Sequence, residues 1–146
     1  NLLKSHGIKP TLAGHAGDGN FHVIPLMDLK DKKERDKIPV VLKDFVDLVL
    51  AHGGTITAEH NDGLIRTSFV EKQYGPKMTR LFEKVKDIFD PQNVFNPGKK
   101  VYGDFKFAMK HVKTKWIIKN ERSRESTSLI QINIQGESYL CAQSFF

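Results

Sequence analysis

Cysteine is almost missing from this sequence: Cys141 is the one thiol among 146 residues. A lone cysteine closes no internal disulfide, which excludes a stapled secreted scaffold and suits a reducing, cytoplasmic compartment. Long apolar runs are missing too. The longest cover four or five residues, as in Val23–Met27, against the ~20 that span a bilayer as a helix, so no transmembrane segment is expected. Neither a Gly-X-Y period nor a heptad array is present. With 39% hydrophobic and 27% charged residues and a mean hydropathy of -0.40, collagen-like, coiled-coil and wholly disordered chains are excluded. The chain begins at Asn1 with no charged-then-apolar signal segment, and reads as the interior or C-terminal part of something longer. Its length fits one domain better than two.

A strong charge of one sign is also absent. The net charge of +6 is spread along the chain: residues 1–100 hold 16 Lys/Arg and 13 Asp/Glu, and residues 101–146 hold 7 and 4. The densest run, Lys30–Lys37, alternates in sign, as solvated loops and helix starts do. No basic stripe interleaved with aromatics offers a stacking platform for single strands, so no nucleic-acid partner is expected.

Residues 19–27 read as a strand, with Phe21, Val23 and Pro25 on one face and His22, Ile24 and Leu26 on the other. Pro25 marks an edge or the strand end. After a charged linker over 28–37, a helix is expected to start near Pro39, because Val40, Val41, Phe45, Leu48 and Val49 recur at helical spacing. Gly53-Gly54 stops it. Thr55–Ala58 reads as a short strand running into the polar turn Glu59–Gly63, followed by helices over 64–74 and 76–89 and a break at Asp90-Pro91. Phe105, Met109 and Val112 allow one more short helix. An organisational boundary near 117 divides the chain into 1–116 and a polar tail, 117–146, of unknown character. The tail is expected to pack poorly or be disordered, its alternating Leu129–Ile134 segment having no evident partner strand.

Three segments carry chemistry. In His15-Ala-Gly-Asp-Gly-Asn-Phe-His22, two glycines bracket Asp18 and force a tight turn between two histidines. Such a pair can converge as metal ligands do, imidazole suiting zinc, manganese or iron; for an arbitrary pair at this spacing the plain reading is two polar loop residues. In Gly53-Gly-Thr-Ile-Thr-Ala-Glu-His60, a carboxylate and an imidazole end the expected strand. Glu59 would complete a His/His/Glu set with open coordination positions. Adjacent residues of an extended strand point oppositely, which casts His60 as a nearby acid/base group. The plain alternative is a strand-end Glu beside a satisfied His. The third segment, Asp90–Lys99, is a helix stop followed by turns.

Taken together and in this order, HAGDGNFH, GGTITAEHNDG and the run Tyr74-Gly75 … Val85–Pro91 … Asn96–Lys99 resemble the C-terminal domain of FAD-linked oxidoreductases. This group includes D-lactate dehydrogenase, the glycolate oxidase flavin subunit and D-2-hydroxyglutarate dehydrogenase. The resemblance covers about residues 5–101. It implies an α+β fold, an antiparallel sheet with helices on one face, ferredoxin-like and incomplete here. It further implies that His15, His22 and Glu59 bind a divalent ion, zinc or manganese, and that His60 takes the proton of a substrate 2-hydroxyl while hydride passes to FAD. Asn96 would lie near the cofactor and Arg66 would contact a substrate carboxylate, although Arg66 equally suits an ordinary surface position. The FAD would be held mainly by an N-terminal domain absent from this chain. The implied location is cytoplasmic or peripheral to the inner membrane, with the electron acceptor open. Ile24 stands where many relatives have a substrate-touching Asn, and Asn61 where many have Gly. Two rival readings are a stand-alone metal-binding or hydrolytic module using the His/His/Glu set, and a non-catalytic remnant.

Overall fold

The computed structural model describes residues 1–114, 130–134 and 137–141. They fall into two compact units, residues 1–41 with the described residues from 113 onward, and residues 42–112. Antiparallel strands and several helices make the chain α+β, as expected. No helix among the described residues is long and apolar enough to cross a membrane. The expected boundary near 117 lies outside the described residues.

In the first unit a short helix α1 (Leu2–Ser5) precedes β1 (Lys9–His15), which pairs antiparallel with β2 (Asn20–Leu26). β2 coincides with the expected strand; β1 had no sequence signal. Pro10 and Gly14 are poor strand formers, and most of β1 is exposed, so it shows no apolar period. Its pairing is nevertheless well matched. Pro10 sits opposite Pro25, and two residues without N–H groups fit a non-hydrogen-bonded pair of an antiparallel ladder. The connection is a 3-10 turn, Ala16–Asp18, closed by Gly19 at φ 67, a left-handed conformation that glycine adopts without steric cost. In the polar tail, β3 (Ile130–Ile134) pairs with β4 (Glu137–Cys141). The Ile130–Ile134 part of the expected alternation therefore has a partner, which sequence reading missed because Glu137–Cys141 carries little apolar pattern of its own. The remainder of the segment expected to be disordered lies outside the described residues.

Helix α2 (Lys32–Ala51) starts well before Pro39. Asp31 caps it, its carboxylate accepting from the Lys33 N–H at 2.8 Å. The charged run then forms the first two turns, laced by Lys32–Asp36 at 2.6 Å and by the Lys37–Glu34 pair. Pro39 thus lies inside the helix, where it supplies no N–H to the Arg35 carbonyl.

In the second unit α2 ends at a glycine cap. Gly53 has φ 71, and the Gly54 N–H donates to the Val49 carbonyl at 3.0 Å. The expected strand at 55–58 does not form. The Ile56 N–H donates to Gln73 Oε1 at 2.8 Å and the Thr55 hydroxyl to the Thr57 carbonyl at 2.8 Å, so local and side-chain partners replace a ladder. After α3 (Gly63–Arg66) and a 3-10 turn at Thr67–Phe69, α4 (Val70–Phe89) is kinked at Gly75, φ 76, just before Pro76. This kink is the break expected between 74 and 76. α4 ends at Asp90, whose carboxylate accepts from the Val94 and Phe95 N–H groups at 2.9 and 2.8 Å and from Lys86. The Lys86 hydrogen bond leads in holding the Asp90 carboxyl below its usual range, against its burial. Asn93 and Asn96 take positive φ, 49 and 50, as asparagine tolerates better than most residues. Helix α5 (Phe105–Lys110) is capped by Asp104, which accepts from the Lys106 and Phe107 N–H groups at 2.8 and 3.1 Å. The buried apolar side chains of this unit are Leu42, Val46, Ile56, Val70, Val101 and Ala108.

Candidate functional site

The β1–β2 register decides how the two histidines of the first segment stand. His15 is opposite Asn20, and Ala13 is opposite His22. Residues two apart share a face and paired residues share a face, so His15 and His22 lie on the same face as diagonal neighbours. Diagonal neighbours sit about 7–8 Å apart, near enough for two imidazoles to reach a common point between them. His15 is exposed and His22 half-buried. Gly14 sits beside them at φ 131, and a Cβ there would lie 2.4 Å from the Asn20 carbonyl oxygen. Only glycine allows the two strands to approach so closely at this point.

Glu59 and His60 belong to the second unit and to a turn, not to a strand end. The Asn61 N–H points back to the Ala58 carbonyl at 3.5 Å, and Asn61 takes φ 56. The chain has turned before Glu59, so the alternation expected to separate the two side chains does not apply. Their side chains meet, with Glu59 Oε1 3.1 Å from His60 Nε2, and both are solvent-accessible. A carboxylate at this distance orients the imidazole ring.

Beneath this turn is a buried carboxylate that sequence reading passed over. The Asp62 side chain is fully buried. Thr57 donates its hydroxyl to Asp62 Oδ1. Lys100 Nζ stands 2.9 Å from Asp62 Oδ2, within ion-pair distance though off hydrogen-bond geometry. The same ammonium lies 5.2 Å from the ring centroids of both Tyr74 and Phe82, an arrangement that partly replaces its lost hydration. The only sequence trace of this network is an Asp in a polar turn and a Lys after Asn-Pro-Gly.

Arg66, the expected substrate anchor, ends α3 and reaches back to the turn. It donates from Nη2 to the Asn61 carbonyl and from Nε to the Asp62 carbonyl at 3.5 Å. Burial pulls its guanidinium below the usual value, and the nearby Asp62 charge works the other way. Two of its five N–H directions therefore serve the turn itself. Asn96, the expected cofactor contact, is exposed, and its side-chain oxygen accepts from Lys99 Nζ at 3.1 Å.

The profile of the family described as "FAD linked oxidases, C-terminal domain" matches residues 1–100, which include both histidines of the hairpin, the Glu59-His60 turn and the Asn96–Lys100 segment. The chain belongs to this family. Among curated relatives, the probable mitochondrial D-lactate dehydrogenase of Danio rerio is 35% identical over 97 residues, covering 66% of this chain and 20% of the relative. The glycolate oxidase subunit GlcD of Bacillus subtilis is 34% identical over 99 residues, 68% of this chain and 21% of the relative. The D-2-hydroxyglutarate dehydrogenase of Escherichia coli is 35% identical over 98 residues, 67% of this chain and 10% of the relative. This is an oxidoreductase family, and the chain spans about a fifth or less of the length of these three relatives. No solved structure matches the chain significantly.

Proposed function

We propose that this chain is the substrate-side part of an FAD-dependent oxidoreductase that oxidises a small 2-hydroxy acid such as D-lactate or glycolate. The observation that carries the reading is the family match over residues 1–100, whose relatives are named for the dehydrogenation or oxidation of 2-hydroxy acids. The paired imidazoles on one hairpin face support it. When bound, FAD supplies the acceptor for hydride from the substrate carbon, and an N-terminal domain outside these residues would hold most of it.

The residues of this chain then divide the remaining work. His15, His22 and Glu59 form the donor set proposed for a divalent ion, and two imidazoles with one carboxylate suit zinc or manganese. Such an ion would supply Lewis-acid polarisation of the substrate hydroxyl. His60 takes the hydroxyl proton on its imidazole, with Glu59, 3.1 Å away, orienting the ring. Arg66 offers the guanidinium donors not spent on the turn to the substrate carboxylate. Asn96 is proposed to approach the cofactor.

The test is steady-state dye reduction by the full-length gene product supplied with FAD. D-Lactate or glycolate is expected to drive dye reduction, chelation to abolish it, and zinc or manganese to restore it. Turnover that survives exhaustive chelation, verified by elemental analysis, would remove the metal from the reading.

A further inference from the structure

We propose that Asp62 and Lys100 act together as a positioning clamp for the Glu59–His60 pair, joining the 57–63 turn to the Asn96–Lys100 segment. The Thr57–Asp62 hydrogen bond closes a short loop with Glu59 and His60 between its ends. Asp62 is fully buried, so its charge must be matched, and Lys100 Nζ at 2.9 Å is the cation beside it. A second tie runs in parallel through the backbone. The Lys100 N–H donates to Thr67 Oγ1 at 2.8 Å, and the Thr67 hydroxyl donates to the Gly63 carbonyl at the loop's exit. The loop is thereby held at its start by Thr57, at its end by Asp62, and just beyond by Thr67.

Lys100 itself bears the mark of an imposed position. Its backbone lies at φ 70, in the left-handed region that a lysine rarely adopts unless its surroundings fix it. Those surroundings are the Thr67 hydroxyl, the Asp62 carboxylate and the faces of Tyr74 and Phe82. A glycine at residue 100 would relieve the backbone, yet it would lose the ammonium. The pairing of a strained backbone with a buried counter-charge indicates that the side chain is what the position needs. Neither residue is proposed to touch substrate; both act through His60.

The inference rests on the role proposed above for His60, and the experiment separates the two. Lys100→Met, Lys100→Arg, Asp62→Asn and the double variant D62N/K100M are compared with His60→Ala in the FAD-loaded full-length gene product. Amide hydrogen exchange at 58–61 is read against exchange at Val46 and Val70, together with kcat and KM. Lys100→Met is expected to speed exchange at 58–61 while leaving Val46 and Val70 unchanged. Its kcat should fall on the order of 10- to 100-fold, as small misplacements of a reacting group do, with KM little altered. Lys100→Arg should recover most of kcat, and the double variant should be no worse than Lys100→Met alone. Asp62→Asn, which keeps the side-chain shape, covers the case in which Lys100→Met fails to fold. Unchanged kcat in Lys100→Met, or additive losses in the double variant, would overturn the clamp. Loss of kcat in step with faster exchange at Val46 and Val70 would overturn it too, by making the role merely structural. Full turnover in His60→Ala would instead defeat the reading of His60, whatever the clamp variants do.

Discussion

Replacing His60 with alanine is expected to slow turnover of the hydroxy acid substrate by about 10²–10⁴-fold, the usual contribution of a positioned acid/base group. The divalent metal content should stay nearly constant, because the proposed donor set is His15, His22 and Glu59. The contact of Glu59 with His60 at 3.1 Å makes this a demanding separation, since one change touches both functions. Kinetics on protein assayed in parallel for bound metal decides it. A variant that loses its metal and keeps the wild-type rate per bound ion would exchange the roles of the two residues.

Gly14→Ala is expected to destabilise the protein by about 2–4 kcal/mol, combining a steric overlap with a left-handed backbone. At Gly14 the added Cβ would meet the Asn20 carbonyl oxygen at 2.4 Å and the Phe21 Cα at 3.1 Å, at φ 131. All of these atoms belong to backbone and cannot swing away. The strands would have to part where His15 and His22 share a face, so affinity for the proposed divalent ion should fall with stability. Gly17→Ala is the control. No atom lies within 4 Å of its added Cβ and its φ lies outside the left-handed range, so its effect should stay within about 0.5 kcal/mol, as for ordinary surface changes. Urea denaturation of both variants checks the contrast, and equal midpoints would contradict it.

What the sequence made legible follows from where its signals are local. β2, the Gly-Asp-Gly turn, the glycine stop of α2 and the break at Gly75-Pro76 each depend on backbone preferences of a few residues, and each stands as expected. β1 escaped because a mostly exposed strand containing Pro10 and Gly14 has no apolar period to read. The early start of α2 escaped because a sign-alternating run such as Lys30–Lys37 suits a loop and a helix face alike, and only the Asp31 cap decides. Thr55–Ala58 misled in the opposite direction. Its β-branched residues match strand composition, but Gln73 and the Thr55 hydroxyl bind its backbone instead. The residues proposed to carry chemistry were visible as motifs. Asp62 and Lys100 were not, because an ion pair between a buried carboxylate and a lysine so far away in sequence leaves no pattern in either segment.

Whether these residues serve flavin-dependent oxidation of a 2-hydroxy acid is tested most directly by anaerobic absorbance spectroscopy of the full-length gene product. The protein, as purified or after incubation with FAD and desalting, should retain flavin absorbance that bleaches when D-lactate or glycolate is added. A protein that retains no flavin, or whose flavin stays oxidised with every 2-hydroxy acid supplied, would contradict the assignment.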